Sequence, residues 1–164
     1  MSFKIKVYKN RSFKDKRGYY WTSWKKKQVK NLEFIHDKFS LSKKNVLRGL
    51  HGDKKTWKLI SCPYGKFFLV VVNCNKNSSD YLKWKTYILS HKNGLQVLVP
   101  PNFANGHYCL SSECLFHYKL AYKGRYADVN QQFSLHWNDP KLNIKWPLQK
   151  KKRKNKPILS KRDR

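Results

Sequence analysis

The chain has 164 residues, enough for one domain with a real core. Hydrophobic residues make up 40% and aromatic residues 15%, which excludes a largely disordered chain. The 37 basic residues against 9 acidic ones give a formal charge of +28, a balance that suits a polyanionic partner: nucleic acid, an anionic membrane or a phosphorylated substrate.

Short apolar, aromatic and β-branched runs follow one another along the chain. "KIKVY" (4–8), "YYWTSW" (19–24), "NLEFIHDKFS" (31–40), "NVLRGLH" (45–51), "TWKLISC" (56–62) and "KFFLVVVN" (66–73) read as strands. So do "WKTYIL" (84–89), "LQVLVP" (95–100), "HYCLSS" (107–112) and "CLFHYKLAY" (114–122). Between them "CPYGK", "NCNKNSSD", "SHKNG", "PPNFANG" and "KGRYAD" supply Gly or Asn for positive φ and Pro for fixed φ. No segment carries an apolar period of 3.6. The pattern predicts an all-β jelly roll, two antiparallel sheets with a mouth where polar residues gather. "FFLVVV", apolar on both faces, belongs at the centre of a sheet covered on both sides. The tail from Leu148 is basic and contains Pro157. It reads as a strap (148–164) on a single domain (1–147), with Ile158 and Leu159 as its anchors.

The lysines cluster only in "WKKKQVK" (24–30) and "QKKKRKNK" (149–156). Elsewhere they are spread along the chain, as solvated surface lysines are. Cys62, Cys74, Cys109 and Cys114 form no C-x2-C pair and read as small buried hydrophobes in a reducing compartment. No window approaches the ~18 consecutive apolar residues of a membrane span, so a soluble, cytoplasmic protein is expected.

The histidines lack the H-x-H spacing and distant partners of a metal cupin, so no metal and no cofactor is expected. What remains is an acid–base set. His51 follows Arg48, Lys58 lies in an apolar strand, and Tyr118 lies in "LFHYKLAY". A base that takes a proton beside a carbonyl, a cation that holds the enolate oxygen and an acid that returns a proton make up such a site. Each residue also has a plain structural reading: a strand-end histidine, a lysine reaching solvent, a core tyrosine, an Arg48–Asp53 pair. Arg48 and His51 have opposite strand parity, so they share a face only if Gly49 or a bulge breaks the pleat.

These motifs resemble the dTDP-4-dehydrorhamnose 3,5-epimerases, the metal-free cupin-type sugar epimerases. "FKDKRGYYWTSW" (13–24) is similar to the family's "F-x-D-x-R-G-[FY]-F", "KKNVLRGLH" (43–51) to "GVLRGLH", and "WKLISCPYGKFFLVVVN" (57–73) to "GKLVRVVRGEVFDVAVD". "LVPPNFANGH" (98–107) resembles "WIPPGFAHGF", and "CLFHYKLAY" resembles "EFLYKCTxYY". "WNDPKLNIKWP" (137–147) and "ILSKRD" (158–163) resemble "WNDPxLGIxWP" and "LSxKD". The resemblance implies His51 as base, Asp163 as the carboxylate that orients it, Tyr118 as the opposing acid and Lys58 as the enolate stabiliser. It implies Arg48 near the sugar and diphosphate. Phe13 and Arg17 would contact the nucleotide of a neighbouring subunit, hence a homodimer.

Three departures stand out. The family's "LHYQ" is "LHGD", which places Gly52 and Asp53 beside the base. "FAHG" becomes "FANG", with Asn105 for a histidine. Thr22 stands where the family has the glutamate that reads thymine. These changes resemble a branch acting on GDP-linked 4-keto-heptoses in capsular polysaccharide synthesis, and Gly52 would leave room for a bulkier sugar. The expected activity is therefore epimerisation of a GDP- or dTDP-linked 4-keto sugar at C3, C5 or both, with Asn105, Asp53 and Thr22 among the substrate contacts. Two other readings are a basic nucleic-acid-binding β-barrel and a non-catalytic cupin. The aromatics lie inside apolar runs without an RNP-like or zinc motif, which argues against the first. The complete set His51, Lys58, Tyr118 and Asp163 argues against the second.

Overall fold

A computed structural model describes residue 3, residues 5–148 and residues 156–164. Most of the basic run predicted at 149–156 lies outside the described residues. The strands are β1 (Lys6–Lys9), β2 (Ser12–Asp15), β3 (Gly18–Trp21), β4 (His36–Lys43), β5 (Leu47–Gly52), β6 (Trp57–Tyr64), β7 (Lys66–Asn73), β8 (Trp84–Ser90), β9 (Leu95–Val99), β10 (Phe103–Cys109), β11 (Glu113–Ala121) and β12 (Phe133–Ser134). They form one sheet in the order β1-β9-β6-β11-β4 and a second in the order β12-β5-β10-β7-β8, with β2 and β3 as a separate hairpin. The predicted all-β sandwich is borne out.

The main core lies between the two sheets. Ile60, Cys62, Val97, Val99 and Phe116 from the first meet Phe67, Leu69, Val71, Leu89 and Cys109 from the second. The outer face of the second sheet is also covered. Leu50, Val70, Val72 and Ala104 pack beneath Leu142, with Phe133, Leu135, Ile144 and Trp146 around it. The segment that resembles the family's "WNDP" motif is this cover. β7 is thus buried on both faces, which explains its unbroken apolar run. Residues 24–34 cover part of the first sheet's outer face, where Val29, Leu59 and Leu98 form a third cluster.

Some boundaries differ from expectation. β10 begins at Phe103, inside the segment read as a turn, because residues 103–109 pair continuously with β7. β6 runs on to Tyr64 through "CPY", leaving Gly65 with φ of +75° to turn the chain. β2 is exposed throughout and β12 spans two residues, so neither carries an apolar pattern. The tail is anchored through backbone. Ile158 N donates to Asn45 O and Leu47 N donates to Ile158 O, while the Ile158 side chain stays exposed and Pro157 is buried.

Candidate active site

Alternation along the strands sets the site. On β6, Lys58, Ile60 and Cys62 point inward, so Lys58 enters the same space as the core. On β11, Phe116 and Tyr118 point inward. On β10, Asn105 and His107 share the inward face with Phe103 and Cys109. These side chains meet in a cavity of about 550 Å³ at the open end of the sandwich, lined by Arg48, His51, Lys58, Asn105, His107, Tyr118 and Asp163 among others.

Arg48 and His51 reach that face by the break in pleat that their parity demands. Asn105 pairs with His51 but His107 pairs with Arg48, so two residue steps on β10 oppose three on β5. Gly49 absorbs the extra residue with φ of +108°, and its peptide bond to Leu50 is cis. A Cβ at Gly49 would lie 2.6 Å from both Asn105 O and Gly106 Cα, so a side chain cannot fit there.

His51 Nε2 lies 2.7 Å from Asp163 Oδ1. The tail brings Asp163 there on a short 3-10 turn, Lys161–Asp163, where Ser160 Oγ also donates to the carboxylate at 2.8 Å. Burial pushes the Asp163 carboxyl up, but the hydrogen bonds from His51 and Ser160 outweigh it and hold it below the usual range. An ionised Asp163 accepts a hydrogen bond from Nε2–H, which leaves Nδ1 as the lone-pair nitrogen. Ser134 Oγ lies 2.9 Å from Nδ1, a contact with no forewarning in sequence because Ser134 sits in the two-residue β12.

Lys58 Nζ donates to Asn105 Oδ1 at 3.1 Å, so the residue that replaces the family's histidine holds the lysine. Burial lowers the Lys58 ammonium to about 8. Burial also raises the Tyr118 phenol, which keeps it protonated at neutral pH. Arg48 does not pair with Asp53. Its Nε donates to Ser42 Oγ at 3.0 Å and its Nη2 to Leu41 O at 3.3 Å. His107 Nε2 lies 3.3 Å from the same Ser42 oxygen, and burial drops this imidazole to about 3, so it is neutral. Ser42 and His107 were not among the residues expected at the site. The signal was available: His107 stands two residues beyond Asn105 and therefore on the same face of β10.

Two expectations at the opening of the site are corrected. Asp53 is not a pocket residue: it is buried, and its Oδ1 accepts from Lys55 N at 3.0 Å and Thr56 N at 2.7 Å, closing the turn into β6. Its charge does raise the Lys58 ammonium, partly offsetting burial. Gly52 does not leave room for a larger sugar. Its missing Cβ is the space filled by the Phe133 ring and Phe103 O. Phe13, Arg17 and Thr22 lie away from the cavity in the same chain. Phe13 is exposed on β2 and stacks on Tyr20, Arg17 pairs with Asp15 at 2.6 Å, and Thr22 follows β3.

The sequence model of the dTDP-4-dehydrorhamnose 3,5-epimerases matches residues 4–164. The chain belongs to this family. It is an isomerase of the epimerase class. A dTDP-4-dehydrorhamnose 3,5-epimerase of Shigella flexneri is 33% identical over 97% of this chain and 87% of its own length. Among solved structures, the Legionella pneumophila enzyme in complex with dTDP-4-keto-L-rhamnose is 34% identical. It superposes with a TM-score of 0.87 over 97% of this chain and 84% of that one. The Bacillus anthracis enzyme with TDP and pyrophosphate bound is 33% identical, with a TM-score of 0.86 over 97% and 90%. Among the described residues of this family member, no helix is long and apolar enough to cross a membrane.

Proposed function

We propose that the chain epimerises a nucleotide-diphospho-4-keto sugar at the carbons flanking the ketone, without a metal or cofactor. The observation that carries this reading is the His51–Asp163 pair, which opens on the same cavity as Lys58 and Tyr118. The 4-ketone acidifies the protons on C3 and C5. His51 removes one, and Asp163 stabilises the imidazolium that results. The Lys58 ammonium donates to the enolate oxygen. Tyr118, kept protonated by burial, returns a proton from the other face. Arg48, fixed by Ser42 and Leu41, binds the diphosphate with its remaining guanidinium donors. The strap 148–164 acts as part of the site because it supplies Asp163.

The relatives' names and bound ligands support a dTDP-linked 4-keto-6-deoxyhexose as substrate, and the cytoplasm is proposed as its place of work. A GDP-linked 4-keto-heptose is the second reading. Thr22 and Asn105 favour it, and the filled space at Gly52 removes the steric argument for it. A homodimer is also proposed, in which the exposed hairpin carrying Phe13 and Arg17 reaches the nucleotide in the partner's cavity. NMR in D2O with dTDP- and GDP-linked 4-keto sugars tests the assignment. Deuterium should enter C3 and C5 of the dTDP sugar. Exchange confined to the GDP sugar would move the assignment to the second reading, and exchange in neither would sink epimerisation.

A further inference from the structure

His51 is held at both ring nitrogens. Nε2 donates to Asp163 Oδ1 at 2.7 Å, and Nδ1 lies 2.9 Å from Ser134 Oγ. The direction of the second bond follows from the groups around it. Arg162 Nη2 donates to the same Ser134 oxygen at 3.2 Å. Nδ1 carries a lone pair and a guanidinium only donates, so the one hydrogen of the Ser134 hydroxyl points at Nδ1. That hydrogen sits on the lone pair the base needs. A substrate C–H and the Ser134 hydroxyl therefore compete for one site on His51.

Arg162 is the part of this contact that faces the substrate. It lines the epimerase cavity with His51 and Gln132, and its charge adds to burial in lowering the Lys58 ammonium. Its partners are neutral. Besides Ser134, its Nη1 and Nη2 each donate to Gln132 Oε1 at 3.2 Å. Among the described residues no carboxylate pairs with it, and the adjacent Asp163 is taken by His51 and Ser160. Bonds of 3.2 Å are long for a guanidinium, whose bonds to phosphate or carboxylate oxygens run at about 2.7–2.9 Å. An anionic oxygen in the cavity would outcompete Gln132 and Ser134 for it. Ser134 is exposed on the two-residue β12, so its hydroxyl can turn to water once Arg162 lets go. Arg162 stands where the family pattern "LSxKD" has lysine, a point charge without the planar fork that holds Gln132 and Ser134 at once.

Resting on the epimerase reading, we propose that Arg162 binds the sugar-side phosphate of the substrate and that this binding releases a cap on the base. Arg162 holds the Ser134 hydroxyl against Nδ1 until the phosphate takes the guanidinium. Ser134 then turns away, and Nδ1 is free for the proton beside the ketone. Ser134 is thus a positioning residue that acts through His51. The base is bared where a nucleotide-linked sugar fills the cavity, and a 4-keto sugar without the diphosphate leaves the cap in place.

Diethyl pyrocarbonate, which transfers its ethoxycarbonyl group to an imidazole lone pair, tests the cap in the full chain without any sugar. Peptide mapping gives the rate at each histidine. Ser134→Ala should raise the rate at His51 by about 3–10-fold, the worth of one hydrogen bond, with no change at exposed His136. Exchange kinetics with the nucleotide sugar test the release. In Ser134→Ala, kcat/KM should rise by a similar factor, because binding no longer has to break the cap. Arg162→Gln should raise KM by about 10-fold or more, the scale of a lost charge-assisted bond, with kcat within about 3-fold. An unchanged labelling rate at His51 in Ser134→Ala, or a kcat/KM that falls there, would overturn the proposal. So would wild-type KM in Arg162→Gln. Absence of exchange by the wild-type protein with every sugar nucleotide would sink the epimerase reading instead, and the labelling rate at His51 would still judge the cap.

Discussion

Lys58 sits on an inward strand face with its ammonium almost wholly buried and one side-chain acceptor, Asn105. Its folded-state value near 8 lies below the ordinary 10.5, so the folded protein holds this proton less tightly than the unfolded chain. The cost of charging it is therefore present in full below pH 8, at about 3 kcal/mol, and fades as pH rises toward 10.5. Two outcomes follow. Exchange of the substrate's C–H protons should fall as pH rises through about 8, because the cation that meets the enolate is lost. Lys58→Met should abolish exchange yet unfold at higher denaturant by about 1–3 kcal/mol, which urea titration measures. Asp163 has the opposite sign. Its value is depressed, so its pairing with His51 is present above the ordinary carboxylate range and lost as pH falls through the folded value. Asp163→Asn keeps the shape and removes the charge. Steady-state kinetics should show kcat lower by about 10²-fold with a smaller change in KM.

At the scale of elements, the site depends on two local devices. One is the bulge that brings Arg48 and His51 to one face. Gly49→Ala would press a methyl against the β10 backbone, so exchange should be lost along with native stability, seen as a lowered Tm. The other is the tail, tied to β5 by backbone bonds through Ile158 and delivering Asp163 to His51. A chain ending at Leu159 keeps those bonds and lacks the carboxylate. It should fold with near-native circular dichroism and match Asp163→Asn in rate. An unchanged rate would show the tail carboxylate to be irrelevant. These devices also mark what the sequence made legible. The parity conflict between Arg48 and His51 could be read in "RGLH", and the apolar run of β7 announced a strand covered on both sides. β12 could not be read, because two residues carry no period and its place is set by pairing with β5. Ser134 and Ser42 escaped for the same reason: a serine becomes a partner only when the register brings an imidazole or guanidinium to it. Asp53 and Gly52 misled because proximity in sequence to a base says nothing about which side of the strand end they serve.

For the whole molecule, the proposed exchange of hairpins between subunits makes each active site a composite. Among the described residues Arg17 pairs with its neighbour Asp15, and both are exposed, so the pair contributes little to stability. Arg17→Ala and His51→Ala should each be inactive alone. Mixed and allowed to re-equilibrate, half the dimers are mixed, and each has one intact site, so activity should return to about a quarter of wild type. No recovery would place Arg17 and His51 in the same subunit's site or exclude the dimer. The +28 charge belongs to this scale too. A few cations in the cavity suffice for a diphosphate, and the rest are spread as solvated lysines. The central claim is that His51 removes the proton next to the sugar ketone. NMR in D2O on a nucleotide-linked 4-keto sugar tests it most directly, with wild type beside His51→Ala. The wild-type protein should place deuterium on carbons flanking the ketone and the variant should place none. Full exchange by His51→Ala would contradict the account.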